Sequence, residues 1–289
     1  MTLAVPGPDR LYRFDRSAEA LAAPDALTDA HVDAFRRDGF VAIENVLTLE
    51  EVSRARQALD DLIHGRVSGA EEVVQPEPEV RHRWDAMDAA ERADSVRKLY
   101  LFVEHEPRLK ELTLRPVVHG VLERLLGEPC HLIQDMALLK PPFIGTEKPW
   151  HQDAAYFGWA PFERIVGVWI ALDPATPENG CMHVLPGTHL SGPVPHVHER
   201  DCQIPDERVE VERDVLVPLA PGGALFFSAL VHHGTPPNRS PRRRWAVQFH
   251  YAGRSARPID RREHAALYFE HDHYAGCRGG TGTPLAEIE

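Results

Sequence analysis

From Gly127 onward the chain is written in short apolar runs that Pro and Gly interrupt every few residues, and this texture limits the fold more than any other feature. The runs fall at 131–139, 165–172, 182–185, 214–218, 223–230 and 245–251. No helical pattern separates them, so no parallel crossover is available and the strands must pair antiparallel, as in a sandwich or barrel. The first half reads differently. Thr28 can cap a helix with Val32 and Phe35 on one face that ends near Gly39, before a short strand, Phe40-Val41-Ala42-Ile43. Thr48 with Glu51 forms a capping box ahead of Val52, Leu59 and Ile63. Pro116 suits the first turn of a helix with Val117, Val118, Val121, Leu122 and Leu125 at helical spacing, and Gly127 ends it. The fold class expected is therefore α+β, one domain over 27–289, with helices buttressing a jelly-roll-like core. Residues 1–26 are expected to be an arm with little structure of its own, 66–92 a long loop with one helical turn, 193–213 a lid, and 275–289 a polar tail.

Composition removes several function classes. A net charge of −12 opposes the counterion-displacing surface that nucleic-acid binding needs. The apolar region around Leu216–Val231 is broken by Pro218, Pro221 and two glycines, so no bilayer-spanning run is expected. The N-terminus lacks the basic and apolar regions of a signal peptide. Cys130, Cys181, Cys202 and Cys277 are scattered, which fits reduced thiols better than a disulfide framework. The expectation is a cytoplasmic protein acting on a small molecule, with neither nucleic acid nor membrane as partner.

Chemistry concentrates in two places. His151-Gln152-Asp153 follows Lys148-Pro149-Trp150, and residues two apart on a strand share a face, so an imidazole and a carboxylate can converge. His31-Val32-Asp33 repeats the pattern on an expected helix, where the pair diverges. The second place is the run Gly222–Thr235, a β-run ending in His232-His233 and followed by Arg242-Arg243-Arg244 and the strand Trp245–Tyr251, which reads as a hairpin with a wide turn. Alternation lets only one of the two histidines face the pair at 151 and 153. Two His and one carboxylate, with open positions beside them, suit non-haem iron(II) oxygenases. A cation on the neighbouring strand could clamp a dicarboxylate.

The chain resembles the phytanoyl-CoA dioxygenase family of iron(II)- and 2-oxoglutarate-dependent oxygenases. The resemblance rests on Trp150-His151-Gln152-Asp153, Gly167–Leu172, Glu178-Asn179-Gly180-Cys181, Leu185-Pro186-Gly187-Thr188-His189 and His233-Gly234-Thr235, and spans Gly39 to about Tyr251. It implies a double-stranded β-helix and a hydroxylation that uses Fe(II), 2-oxoglutarate and O2 and releases succinate and CO2. Desaturation, epimerisation and cyclisation on the same cofactors are the alternatives, as is a catalytically silent binding protein. His151, Asp153 and His233 match the family's metal ligands. The family's co-substrate-clamping arginine lies eleven residues after the distal histidine, at Arg244. Trp169, Gln134, Lys98 and Thr235 match further co-substrate contacts. The retained carboxylate favours hydroxylation over halogenation.

Tyr156, Phe157, Trp159 and His232 are candidate substrate contacts, with core packing as the bland alternative. His264 with His271-Asp272-His273 could hold a metal but sits in a polar stretch without an expected core, and His196–Glu199 reads as a solvated or substrate-facing loop.

Overall fold

The computed structural model describes residues 8–70 and 73–269. Five helices precede or flank the first long strands. α1 (Asp29–Asp38) buries Val32 and Phe35 and stops at Gly39, whose φ of 87° disfavours a side chain. A Cβ there would also meet the His189 ring at 2.6 Å. α2 (Leu49–Ile63) starts at the expected box: the Glu51 amide donates to Thr48 Oγ1 at 3.2 Å and the Thr48 amide to Glu51 Oε2 at 2.9 Å. The short α3 (Ala89–Ala93) and α4 (Pro107–Thr113) lead to α5 (Pro116–Leu126), closed by Gly127.

Two sheets face each other. The larger runs in the order β1 (Phe40–Ile43), β12 (Ala224–Ser228), β7 (Ile165–Ala171), β14 (Arg244–Gly253), β4 (Cys130–Lys140), β3 (Val96–Tyr100) and β2 (Val74–Pro76). The smaller runs β11 (Val215–Val217), β8 (Met182–Leu185), β13 (His232–Thr235), β5 (Lys148–His151). Every named pairing within them is antiparallel. Two-residue ribbons join β9 (Val197–His198) to β10 (Cys202–Gln203) and β6 (Trp159–Ala160) to β15 (Arg257–Pro258). α6 (Arg261–Tyr268) follows. The architecture is the expected jelly roll with helices on one side.

Strand alternation divides the larger sheet into two chemistries. Val166, Val168 and Ile170 of β7, with Val247, Phe249 and Tyr251 of β14, pack in one apolar cluster with Phe35, Leu59 and Leu122 from the helices. Leu59 is fully buried there, so Leu59→Ala would cost about 2–5 kcal/mol. The opposite face of the same strands looks at the smaller sheet, where Trp169, Ala171 and Ala246 cluster with Met182 and Val184. That inward face also carries Arg244, Gln248 and His250, all buried.

Four expectations are corrected. His233 and Arg244 do not flank a hairpin: β13 and β14 belong to different sheets, and residues 236–243 cross between them. The arm is not loose over its described part. Tyr12 is buried and stacks on Trp150 at 5.2 Å, and residues 17 and 21 bridge to Leu216 and Ile43. Residues 66–92 contain β2, a 3-10 stretch Pro78–Ala86 and α3, more structure than one turn, because strand pairing to β3 supplies the order that the acidic sequence does not advertise. Cys130 and Cys181 are free thiols but Cys202 is disulfide-bonded, against the expectation of four reduced cysteines. No described helix is long and apolar enough to cross a membrane.

Candidate active site

The two sheets bring His151, Asp153 and His233 together, with one ligand atom from each within 4.8 Å of the others. β5 and β13 pair so that His151 and His233 are direct Cα partners, and their rings lie 4.2 Å apart. His151 Nε2 is 3.3 Å from Asp153 Oδ1, and His233 Nε2 is 3.5 Å from Oδ2. Asp153 arrives differently from what strand alternation suggests. β5 ends at His151, and Asp153 opens a 3-10 turn, Asp153–Tyr156.

Backbone carbonyls set the histidine tautomers. His151 Nδ1 lies 2.7 Å from the Pro149 carbonyl and His233 Nδ1 3.0 Å from the Val231 carbonyl. A carbonyl only accepts, so each Nδ1 must donate, which leaves both Nε2 lone pairs free beside Asp153. Burial holds the His151 imidazole neutral, down to about 3, with the neighbouring His233 as the next cause. Burial alone would raise the Asp153 carboxyl; the neighbouring His233 and His250 outweigh it and hold it well below the usual range. Two imidazoles whose Nδ1 atoms are engaged by backbone carbonyls, with an ionised carboxylate between them, are a donor set that suits divalent iron.

The sequence reading missed the layer behind Asp153. His250 Nε2 is 2.7 Å from Asp153 Oδ2, and Gln248 Nε2 donates to the same oxygen at 3.0 Å. The signal was there: Arg244, Gln248 and His250 occupy alternate positions of one strand, an unusual run of polar groups on a buried face. Gln152 was also passed over. Its side-chain oxygen accepts from the Val194 amide, and its nitrogen donates to the Gly192 and Leu230 carbonyls, tying the turn between the ligands to its surroundings.

A cavity opens from the cluster. Arg244, Gln134, Lys98, Thr235 and Tyr156 line it together with His151, Asp153 and His233. Arg244 is only 2% exposed, and its Nε and Nη1 are buried with no hydrogen-bond partner. Its guanidinium lies 5.1 Å from the Trp169 ring centre, and burial pushes its pKa down to about 10. An unpaired, buried guanidinium facing a cavity is costly unless an anion meets it there. Arg243 pairs with Asp173 instead and lies over Trp245, as alternation requires.

Other expected contacts fall elsewhere. Trp169 sits beneath Arg244 rather than on the cavity wall, because its side chain is fully enclosed in the inter-sheet core. Phe157 packs on the His250 ring at 4.9 Å, and Trp159 lies in the β6–β15 ribbon beside His131; neither lines the cavity. His232 points away from it, as the neighbour of a ligand on the same strand must, and both its ring nitrogens are buried without a partner. His196 is buried, accepting from the Gln152 amide, and His264 caps the Ala154 carbonyl. His271, Asp272, His273 and the 275–289 tail lie outside the described residues. The segment expected to be a lid contains the β9–β10 ribbon, and Asp201 within it reaches Arg97 and Lys148 at 3.1 and 2.9 Å.

Comparison with known proteins agrees with this arrangement. The chain is 28% identical over 239 residues to a probable phytanoyl-CoA dioxygenase of Caenorhabditis elegans, covering 75% of this chain and 73% of the relative. It is 27% identical to the human peroxisomal phytanoyl-CoA dioxygenase over 237 residues, covering 78% and 68%. Among solved structures, EctD from S. alaskensis with 2-oxoglutarate and 5-hydroxyectoine superposes with a TM-score of 0.66 at 24% identity, covering 84% of this chain and 81% of that one. EvdO2 from Micromonospora carbonacea, complexed with 2-oxoglutarate, gives 0.61 at 26% identity, covering 81% and 93%. The model of the phytanoyl-CoA dioxygenase (PhyH) family matches residues 35–246, a span that contains the four strands of the smaller sheet and all three clustered ligands, and the chain belongs to that family.

Proposed function

We propose that this protein is an iron(II)- and 2-oxoglutarate-dependent dioxygenase that hydroxylates an unactivated C–H bond of a small organic substrate. One observation carries the reading: a buried His-Asp-His cluster with both Nε2 atoms free opens onto a cavity that also holds an unpaired buried guanidinium. His151, Asp153 and His233 would hold the metal. Bound there, iron(II) with 2-oxoglutarate and O2 would supply the oxidising power for hydroxylation, with succinate and CO2 as the co-products.

The chain's own residues bind, orient and exclude water. Arg244 would grip the co-substrate's far carboxylate, a charge-assisted contact worth about 1.5–3 kcal/mol. Thr235, Gln134 and Lys98 line the same cavity and are the other candidates for polar contact with it. Gln248 and His250 fix one Asp153 oxygen, so that the carboxylate does not rotate between its two neighbours. Tyr156 forms a wall where the substrate would lie.

A carbocyclase and an epimerase, SnoK and SnoN from nogalamycin biosynthesis, share this fold at TM-scores of 0.62 and 0.60. The fold alone therefore does not select among these outcomes. Anaerobic titration with iron(II) and then 2-oxoglutarate tests the proposal. A visible charge-transfer band should form and require both; its absence in protein that binds neither component sinks the reading.

A further inference from the structure

Charge in the cavity is lopsided. Five basic side chains line it, Arg97, Lys98, Lys140, Lys148 and Arg244, against Asp153 as its sole acidic lining residue among those described. Two further acids lie near: Glu77, which accepts from the Thr146 amide and hydroxyl, and Asp201. Glu147 shares Arg200, at 3.1 Å, with Asp206, so it is only partly matched. With a dication and a doubly charged keto acid in place, the five side-chain cations outnumber Asp153, Glu77 and Asp201 by two charges, and by one when Glu147 is counted.

The excess has a location. Arg97, Lys148 and Asp201 keep 14%, 16% and 30% of their side-chain exposure, whereas Arg244 keeps 2%, so the three stand at the outer part of the cavity. Arg97 and Lys148 share the single Asp201 carboxylate, at 3.1 and 2.9 Å. Lys98, next along the same strand, makes no ion pair among the described residues. Burial lowers both Lys98 and Lys148 to about 8, and Arg97 depresses Lys98 further.

We propose that Arg97 and Lys148 form the recognition site for an oxyanion on the substrate, a carboxylate or phosphate that takes the place of Asp201. This deepens the oxygenase reading and rests on it for the identity of the cavity. Asp201 is then a counter-ion that the β9–β10 segment holds until substrate arrives, and the substrate's acid group anchors it while the carbon to be oxidised reaches toward the cluster. Neutral analogues have nothing to offer these cations in exchange for the carboxylate they would displace.

Calorimetric titration at low ionic strength tests this, on anaerobic protein loaded with iron(II) and saturated with 2-oxoglutarate. The probes are butyrate, inorganic phosphate and butyramide. Butyrate or phosphate should bind while butyramide does not. Lys148→Met should weaken the anion about tenfold or more, Lys148→Arg should retain it, and Asp201→Asn should tighten it about two- to fivefold. A purely structural role for Asp201 predicts no tightening. Equal binding of butyramide and butyrate, no anion binding at all, or anion binding unaltered by Lys148→Met overturns the proposal. The charge-transfer band in the same samples reports separately on the oxygenase reading.

Discussion

Arg244 is expected to be a liability to the empty protein and an asset to the loaded one, and Arg244→Met separates the two. Burial moves its guanidinium from 12.5 to about 10 with no ion pair to offset the loss of water. A folded-state pKa below the unfolded value disfavours folding with the charge on, so the penalty is present throughout neutral pH and is relieved only above about pH 10. Its size is roughly 3 kcal/mol. The Trp169 ring at 5.1 Å returns on the order of 1 kcal/mol. Met fills much of the volume of the aliphatic stem, so the ligand-free variant should be more stable than the parent by roughly 2 kcal/mol, or about 4 °C in a chain this long. Affinity for 2-oxoglutarate should fall about 10–100-fold with the lost charge-assisted contacts. Differential scanning calorimetry with and without 2-oxoglutarate reads both effects. A ligand-free variant that melts lower than the parent, with its 2-oxoglutarate stabilisation intact, would refute the reasoning.

His250→Phe should weaken iron(II) binding about 10–100-fold by freeing one Asp153 oxygen; an unchanged affinity in anaerobic competition with a chelator counts against that role. His151→Ala and Asp153→Ala should each abolish 2-oxoglutarate turnover and iron retention, and iron content by metal analysis is the check. Asp135 offers a pH test. Burial lifts its carboxyl to about 6, above the ordinary 3.8, so the native state holds the proton more tightly and stability falls as pH rises from about 4 to about 6. Asp135→Asn can still accept from the Phe102 and Val103 amides, so it should add roughly 2 kcal/mol at pH 8 and about half that at pH 5 in urea melts.

The metal cluster was legible because its signals are local: two ligands within three residues, and a second histidine ending a β-run. Arg244 needed the family offset, since charge alone did not distinguish it from Arg242 and Arg243. What escaped was everything set by long-range pairing. The crossing of 236–243 between sheets reads locally as a hairpin turn, because both ends are strands and the linker is polar. β2 forms only because β3 is beside it. The hydrogen bonds from Gln248 and His250 to Asp153 span 95 and 97 residues, a distance no window of sequence covers. The aromatic set after Asp153 failed for the opposite reason: the composition suits a pocket wall and a core equally, and only Tyr156 reached the wall.

The N-terminal segment has a consequence for how the molecule is assembled. Leu11 accepts from the Trp150 indole at 2.8 Å, and the Arg13 amide donates to Asp214 at 2.6 Å, so residues near the start clasp partners 139 and 201 positions away. Such contacts demand closure of very long loops. In a chain made from its amino end, Leu11 and Arg13 have no partner to dock on until the strand bearing Trp150 and the residues up to Asp214 have been added.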